Sequence, residues 1–115
     1  MPRLSLHLAA ALVAAAPAVL VVPALAAEGD PVELTIKDHR FTPDRIEVPA
    51  GQKVTLLIKN QDTTAEEFDS HDLKREKVIP PGKDAKVIVG PLNPGEYRFI
   101  GEYHEKTAKG VLVAK

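Results

Sequence analysis

Beyond the first 26 residues, apolar positions recur at every second residue in short runs, and nowhere do they follow a helical period. Val32-Glu-Leu-Thr-Ile36 alternates cleanly and predicts a first strand. Ile46-Glu-Val48 predicts a short second one, and Val54-Thr-Leu-Leu-Ile58 a longer third with Val54, Leu56 and Ile58 inward. Val78-Ile79 and Ala85-Lys-Val-Ile-Val89 add two more. From Pro94 to Val113 the pattern reads strand, loop, strand. Tyr97 and Phe99 share one face, Glu96, Arg98 and Glu102 the other, and Gly101 falls on the inward parity. Gly110 then leads into an apolar Val111-Leu-Val113. His39-Arg-Phe-Thr-Pro43 reads as a bend, and Pro49-Ala-Gly51, Pro80-Pro-Gly82 and Pro91-Leu-Asn-Pro-Gly95 read as turns. Gln61 to Lys77 has no apolar period and is dense in charge, which makes it either a solvated connection or a site. Seven short strands parted by Gly and Pro turns predict an all-β, Greek-key β-sandwich.

The opening is different in kind. Arg3 precedes an alanine-rich apolar stretch from Leu8 to Val22, and Pro23-Ala-Leu-Ala26 supplies a small-x-small site before the first acidic residue. These are the three parts of a secretory signal peptide. Cleavage is expected after Ala26, with Ala27 as the alternative, leaving residues 27–115 as one exported, periplasmic domain. A membrane anchor fits less well, because Pro17 and Pro23 interrupt a run already at the short end of the ~20 residues a span needs. Removing residues 1–26 takes away one arginine and no acid, so 14 basic face 16 acidic residues. Nothing in that balance favours nucleic acid. The absence of cysteine excludes the disulfides that reinforce many small exported domains.

Two stretches carry a resemblance. Phe41 through Asn60 follows phe-x-pro-x-x-ile-x-val-x-x-gly-x-x-val-x-leu-x-ile-x-asn, and Pro94-Gly-Glu-Tyr-Arg-Phe-Ile-Gly-Glu-Tyr-His104 follows pro-gly-x-tyr-x-phe-x-cys-x-x-his. Both resemble the cupredoxins, small copper-binding β-sandwiches. The ligands depart from the frame: counted from His104, Gly101 stands at the cysteine position and Ala108 at the methionine position, while the only methionine is Met1. A blue-copper centre needs a thiolate, so this chain cannot make one.

The resemblance also implies where ligands would stand. Glu66-Glu-Phe68 matches the family's his-x-phe segment, which puts a glutamate at the first histidine position. In an extended segment Glu66 shares the side of Phe68, which is most easily explained as buried, so Glu66 should point toward the loop containing His104. Glu102 and Glu105 flank His104. Glu67, Asp69 and His71 have the opposite parity and would form a second, more exposed cluster. His39 reads as structural or exposed and is left out. Carboxylates with a single imidazole suit iron, manganese or cupric copper and disfavour cuprous copper; they also favour ferric over ferrous iron. The candidate metal ligands are therefore Glu66, Glu67, Asp69, His71, Glu102, His104 and Glu105, for a copper and/or iron ion in a non-blue site. Other enzyme signals are absent: there is no Gly-x-Ser-x-Gly elbow, no phosphate loop and no cysteine nucleophile.

The fuller pattern, Glu66-Glu-Phe-Asp-Ser-His-Asp-Leu-Lys-Arg-Glu-Lys-Val-Ile79 with Phe99-Ile-Gly-Glu-Tyr-His-Glu-Lys-Thr-Ala-Lys-Gly110, is similar to the cysteine-less cupredoxin-like periplasmic proteins found with bacterial high-affinity iron permeases. That likeness implies a metal-binding component of ferrous iron uptake, with a membrane iron permease and other periplasmic iron-uptake proteins as partners and Fe(II) oxidation as the candidate reaction. Two alternatives stay open: a non-catalytic periplasmic copper or iron carrier, and a cupredoxin fold used only for protein interaction.

Overall fold

A computed structural model of the protein describes residues 29–115; the expected signal peptide and its cleavage site lie outside the described residues. Nine strands appear among them: β1 (Val32–Lys37), β2 (Arg40–Thr42), β3 (Arg45–Val48), β4 (Val54–Asn60), β5 (Glu66–Ser70), β6 (Arg75–Ile79), β7 (Asp84–Val89), β8 (Gly95–Gly101) and β9 (Lys109–Ala114), with a 3₁₀ turn at Glu102–His104 between the last two. They form two sheets, ordered β2-β1-β4-β7 and β3-β9-β8-β5-β6. The pairs β1/β4 and β3/β9 run parallel, and the others are antiparallel. Among the described residues no helix is long and apolar enough to cross a membrane.

The inward residues of each sheet make the core between them. Leu34 and Ile36 of β1 and Leu56 and Ile58 of β4 face Phe68, Ile79, Phe99 and Leu112 of the second sheet, all fully buried. The expected inward set of β4 is found there, its burial alternating along the strand. The outward residues are mostly charged, and their ion pairs, such as Lys59 with Glu33 at 3.1 Å, lie at the surface.

Nine strands replace the expected seven for two physical reasons. The expected bend at residues 39–43 contains β2, which hairpins onto β1 with Ile36 opposite Phe41 and Lys37 opposite Arg40. Its two turn residues, Asp38 and His39, both have positive φ, 52° and 57°, the left-handed pair that a tight hairpin requires and that is usually marked by Gly or Asn. Here the side chain of Asp62 supplies the turn's support: its two carboxylate oxygens accept the amides of Asp38 (2.7 Å) and His39 (2.9 Å). Partial burial works against the charge on Asp62, yet these two amides hold its carboxyl below the usual range.

The second difference is the charged stretch from Gln61 to Lys77, which contains β5 and most of β6 rather than a connection. Its inward positions are Glu66, Phe68 and Ser70, so only one of three is apolar and no hydrophobic alternation is visible. Polar partners make the burial tolerable. Ser70 Oγ donates to the carbonyl of Arg98 at 2.6 Å and accepts the amide of Leu73 at 3.0 Å.

Candidate functional site

Three segments meet at one end of the sandwich: the β1–β2 turn with His39, the first residues of β5 with Glu66, and the 3₁₀ turn with His104. Each segment also contributes a phenylalanine two positions away, on the same parity, or lies beside one that does. Phe41 packs edge-on to Phe99 with ring centroids 5.0 Å apart, and Phe68 lies 5.2 Å from Phe99. This aromatic floor fixes where the polar residues above it stand.

Glu66 is 1% exposed, as its shared parity with Phe68 requires. Its Oε1 accepts the amides of Glu67 (3.0 Å) and Tyr103 (2.9 Å), and its Oε2 meets His104 Nδ1 at 2.5 Å. The two candidate ligands therefore contact each other directly. Gly101 explains the room for this contact: a Cβ built there would lie 2.6 Å from Glu66 Cδ and 2.6 Å from Ala108 Cβ.

His39, read from the sequence as structural or exposed and left out of the ligand set, stands directly beside His104. Its ring stacks on that of His104 with centroids 3.5 Å apart and planes inclined by 12°. Its carbonyl accepts the Thr107 hydroxyl at 2.6 Å, so both ends of the residue hold the rim loop. A two-residue spacing between an alternating strand and Arg40-Phe-Thr42 is the signal that could have placed it, but the missing glycine concealed the turn.

The remaining candidates lie outside the core. Glu67 and Asp69 are half-buried on the outer face of β5, and Glu102 and Glu105 are exposed on and beside the 3₁₀ turn. They are electrostatically in reach of one another. The charge of Glu67, then its hydrogen bond, slight desolvation, and the charges of Asp69 and Glu105 push the Glu102 carboxyl above its ordinary 4.5. His71 is exposed in the β5–β6 turn and shares a surface groove with Asp69, Asp72 and Arg98. Among the described residues no group of three or more His, Cys, Asp or Glu side chains is already arranged around a metal position.

The raised Glu102 carboxyl has a measurable consequence. Below about pH 4 the group is protonated folded or unfolded; as pH rises past 4.5 the unfolded chain ionises first, so stability falls until the folded carboxyl has followed. Glu102→Gln is therefore expected to melt above the parent at neutral pH and together with it at low pH, as calorimetry at the two pH values would show. An equal difference at both would mean that these carboxylates do not repel.

Blue copper does not fit these residues. The position that the resemblance gives to the thiolate is glycine, the thioether position is the buried Ala108, and the space beside both is taken by the Glu66 carboxylate.

Comparison with known proteins agrees with the architecture. Residues 6–114 match the cupredoxin-like domain family. An uncharacterised protein of Rickettsia prowazekii (strain Madrid E) is 48% identical over 82 residues, 71% of this chain; the chain covers 66% of that protein, a little under two thirds of its length. Among solved structures, auracyanin A, a "blue" copper protein of Chloroflexus aurantiacus, superposes with a TM-score of 0.64 at 17% identity, covering 74% of this chain and 98% of its own. The metal-binding domain of the Streptococcus pneumoniae D39 Cu(I)-exporting P-type ATPase, with Cu(I), gives 0.66 at 13% identity, covering 74% and 84%. Amicyanin of Paracoccus versutus gives 0.61 at 14%, covering 76% and 83%. At such identities the structural likeness is one of fold, while the family match spans nearly the whole sequence. The chain belongs to the cupredoxin-like domain family.

Proposed function

We propose that the protein is an exported, periplasmic metal-binding component of ferrous iron uptake, and that Glu67, Asp69, Glu102 and Glu105 supply its cation site. What carries this reading is the gathering of Glu67, Asp69 and Glu105 close enough to Glu102 for their negative charges to repel. A cation relieves that repulsion, and exposed glutamates can turn to close on it. Carboxylate oxygens are hard donors, suited to iron or manganese over a soft cuprous ion. They stabilise the more highly charged ferric state, so bound Fe(II) is more easily oxidised. Four Fe(II) would give up one electron each, with copper or a second metal ion as the implied immediate acceptor, to one dioxygen that takes up four protons to become two waters, and Fe(III) would pass to a membrane iron permease. The similarity to periplasmic proteins found with such permeases supports the partner. The family's relation to copper-binding proteins supports metal handling in general.

Titration of the protein with Fe(II) under anaerobic conditions, and with Mn(II) and Cu(II), tests the site. The double variant Glu67→Gln/Glu102→Gln is expected to weaken binding by about tenfold or more, since affinity at oxygen sites follows ligand charge. Unchanged affinity would reject the assignment. Oxygen consumption with Fe(II) in excess then separates oxidation from carriage: a carrier saturates without consuming oxygen.

A further inference from the structure

We infer that Glu66 is a built-in replacement for a metal at the inner position of this fold, so that the loop with His104 is held in place by a carboxylate instead of a cation. This goes beyond the proposed cation site and does not depend on it.

Space is the first ground. Gly101 has φ −92° and ψ 106°, a conformation open to any residue, so its backbone does not call for glycine. What calls for glycine is the neighbour. A Cβ at this position would stand 2.6 Å from Glu66 Cδ, 2.9 Å from Glu66 Oε1 and 2.6 Å from Ala108 Cβ. All of these lie well inside contact distance. A side chain at 101 and the carboxylate of Glu66 exclude each other, and this chain has the carboxylate.

Hydrogen bonding is the second. A carboxylate buried to 1% exposure is tolerated only when its oxygens are well paired. Oε1 accepts two backbone amides and Oε2 faces His104 Nδ1, so both oxygens are engaged by the protein itself. Among the described residues no buried side-chain nitrogen or oxygen lacks a partner. One of these amides, that of Tyr103, and the imidazole belong to the 3₁₀ turn, which Glu66 thereby ties to β5. Gly101 N donates to the Ala108 carbonyl at 2.9 Å, closing the loop from its other end.

The cover is the third. His39 stacks in parallel on His104, centroids 3.5 Å apart, and so covers one face of the ring that Glu66 holds. A cation ligated through His104 Nδ1 would have to take that nitrogen from Glu66 Oε2.

The test uses the full chain, freed of metal by chelation, with Zn(II) as a redox-inert probe. ¹⁵N-edited NMR of the histidine rings is expected to show a slowly exchanging His104 Nδ1 proton that persists through several equivalents of Zn(II), even while backbone signals near Glu67 and Glu102 move. No such proton in the metal-free protein, or its loss at the first equivalent, overturns the inference. In parallel, Glu66→Gln and His104→Gln are expected to lower the unfolding midpoint by on the order of 10 °C while the Zn(II) dissociation constant stays within about threefold of the parent's. A folded variant in which that constant rises by about tenfold or more overturns the inference. Should neither variant fold, the ring proton of the unaltered chain still decides. A chain that binds no Zn(II) but keeps the ring proton refutes the outer cation site alone and supports the inner lock.

Discussion

Replacing Gly110 by alanine is expected to lower the unfolding midpoint by about 15 °C or more, corresponding to roughly 3 kcal/mol for a domain of this size. A Cβ on Gly110 would lie inside contact distance of Phe99 Cε2 and Cζ and 2.9 Å from the carbonyl oxygen of Asp44. Neither neighbour can give way cheaply. Phe99 is wedged between Phe41 and Phe68, and the Asp44 carbonyl is engaged by the amide of Val111 at 2.8 Å. Because Phe99 also belongs to the floor under Glu66 and His104, the substitution should disturb the rim loop together with the core. A midpoint within about 3 °C of the parent would show that the ring shifts freely, contrary to the packing described.

Loss of Asn60 is expected to be comparably severe. Its side chain, 2% exposed at the end of β4, donates through Nδ2 to the carbonyls of Thr64 (2.9 Å), Ile79 (3.0 Å) and Pro80 (3.3 Å). Its Oδ1 accepts the amide of Asp62 at 3.0 Å, and Asp62 in turn supports the turn with His39. Asn60→Ala leaves several of these groups without partners, each costing about 1–3 kcal/mol, so a total of about 3 kcal/mol is expected. Asn60→Asp keeps the shape but replaces the donor by an acceptor facing three carbonyls, and should be no better tolerated. Chemical denaturation of both variants measures this. If Asn60→Asp retains parental stability, the donor bonds to Thr64, Ile79 and Pro80 are not what holds this corner together.

Strands whose inward residues are apolar were legible from the sequence: Leu34 and Ile36, Val54 through Ile58, Tyr97 and Phe99 all follow period two. β5 was not, because two of its three inward residues are Glu66 and Ser70, and their burial depends on partners far along the chain. Arg98 accepts from Ser70, and Tyr103 and His104 engage Glu66. Parity nevertheless sufficed to aim Glu66 at His104 once Phe68 was taken as buried. His39 escaped for a related reason. Its left-handed turn is stabilised from 23 residues away by Asp62, where a local reading looks for glycine. What local patterning registers is hydrophobic burial; polar burial paired over long range leaves no period behind.

The parallel pairing of β3 with β9 bears on when the protein can fold. Arg45 lies opposite Val111 and Val48 opposite Ala114, so the edge strand β3 has no partner in its sheet until β9 is in place. Closing so long a loop before any contact rewards it is slow. The pairing that completes the second sheet therefore joins the two ends of the described domain, and it is expected to form late in folding.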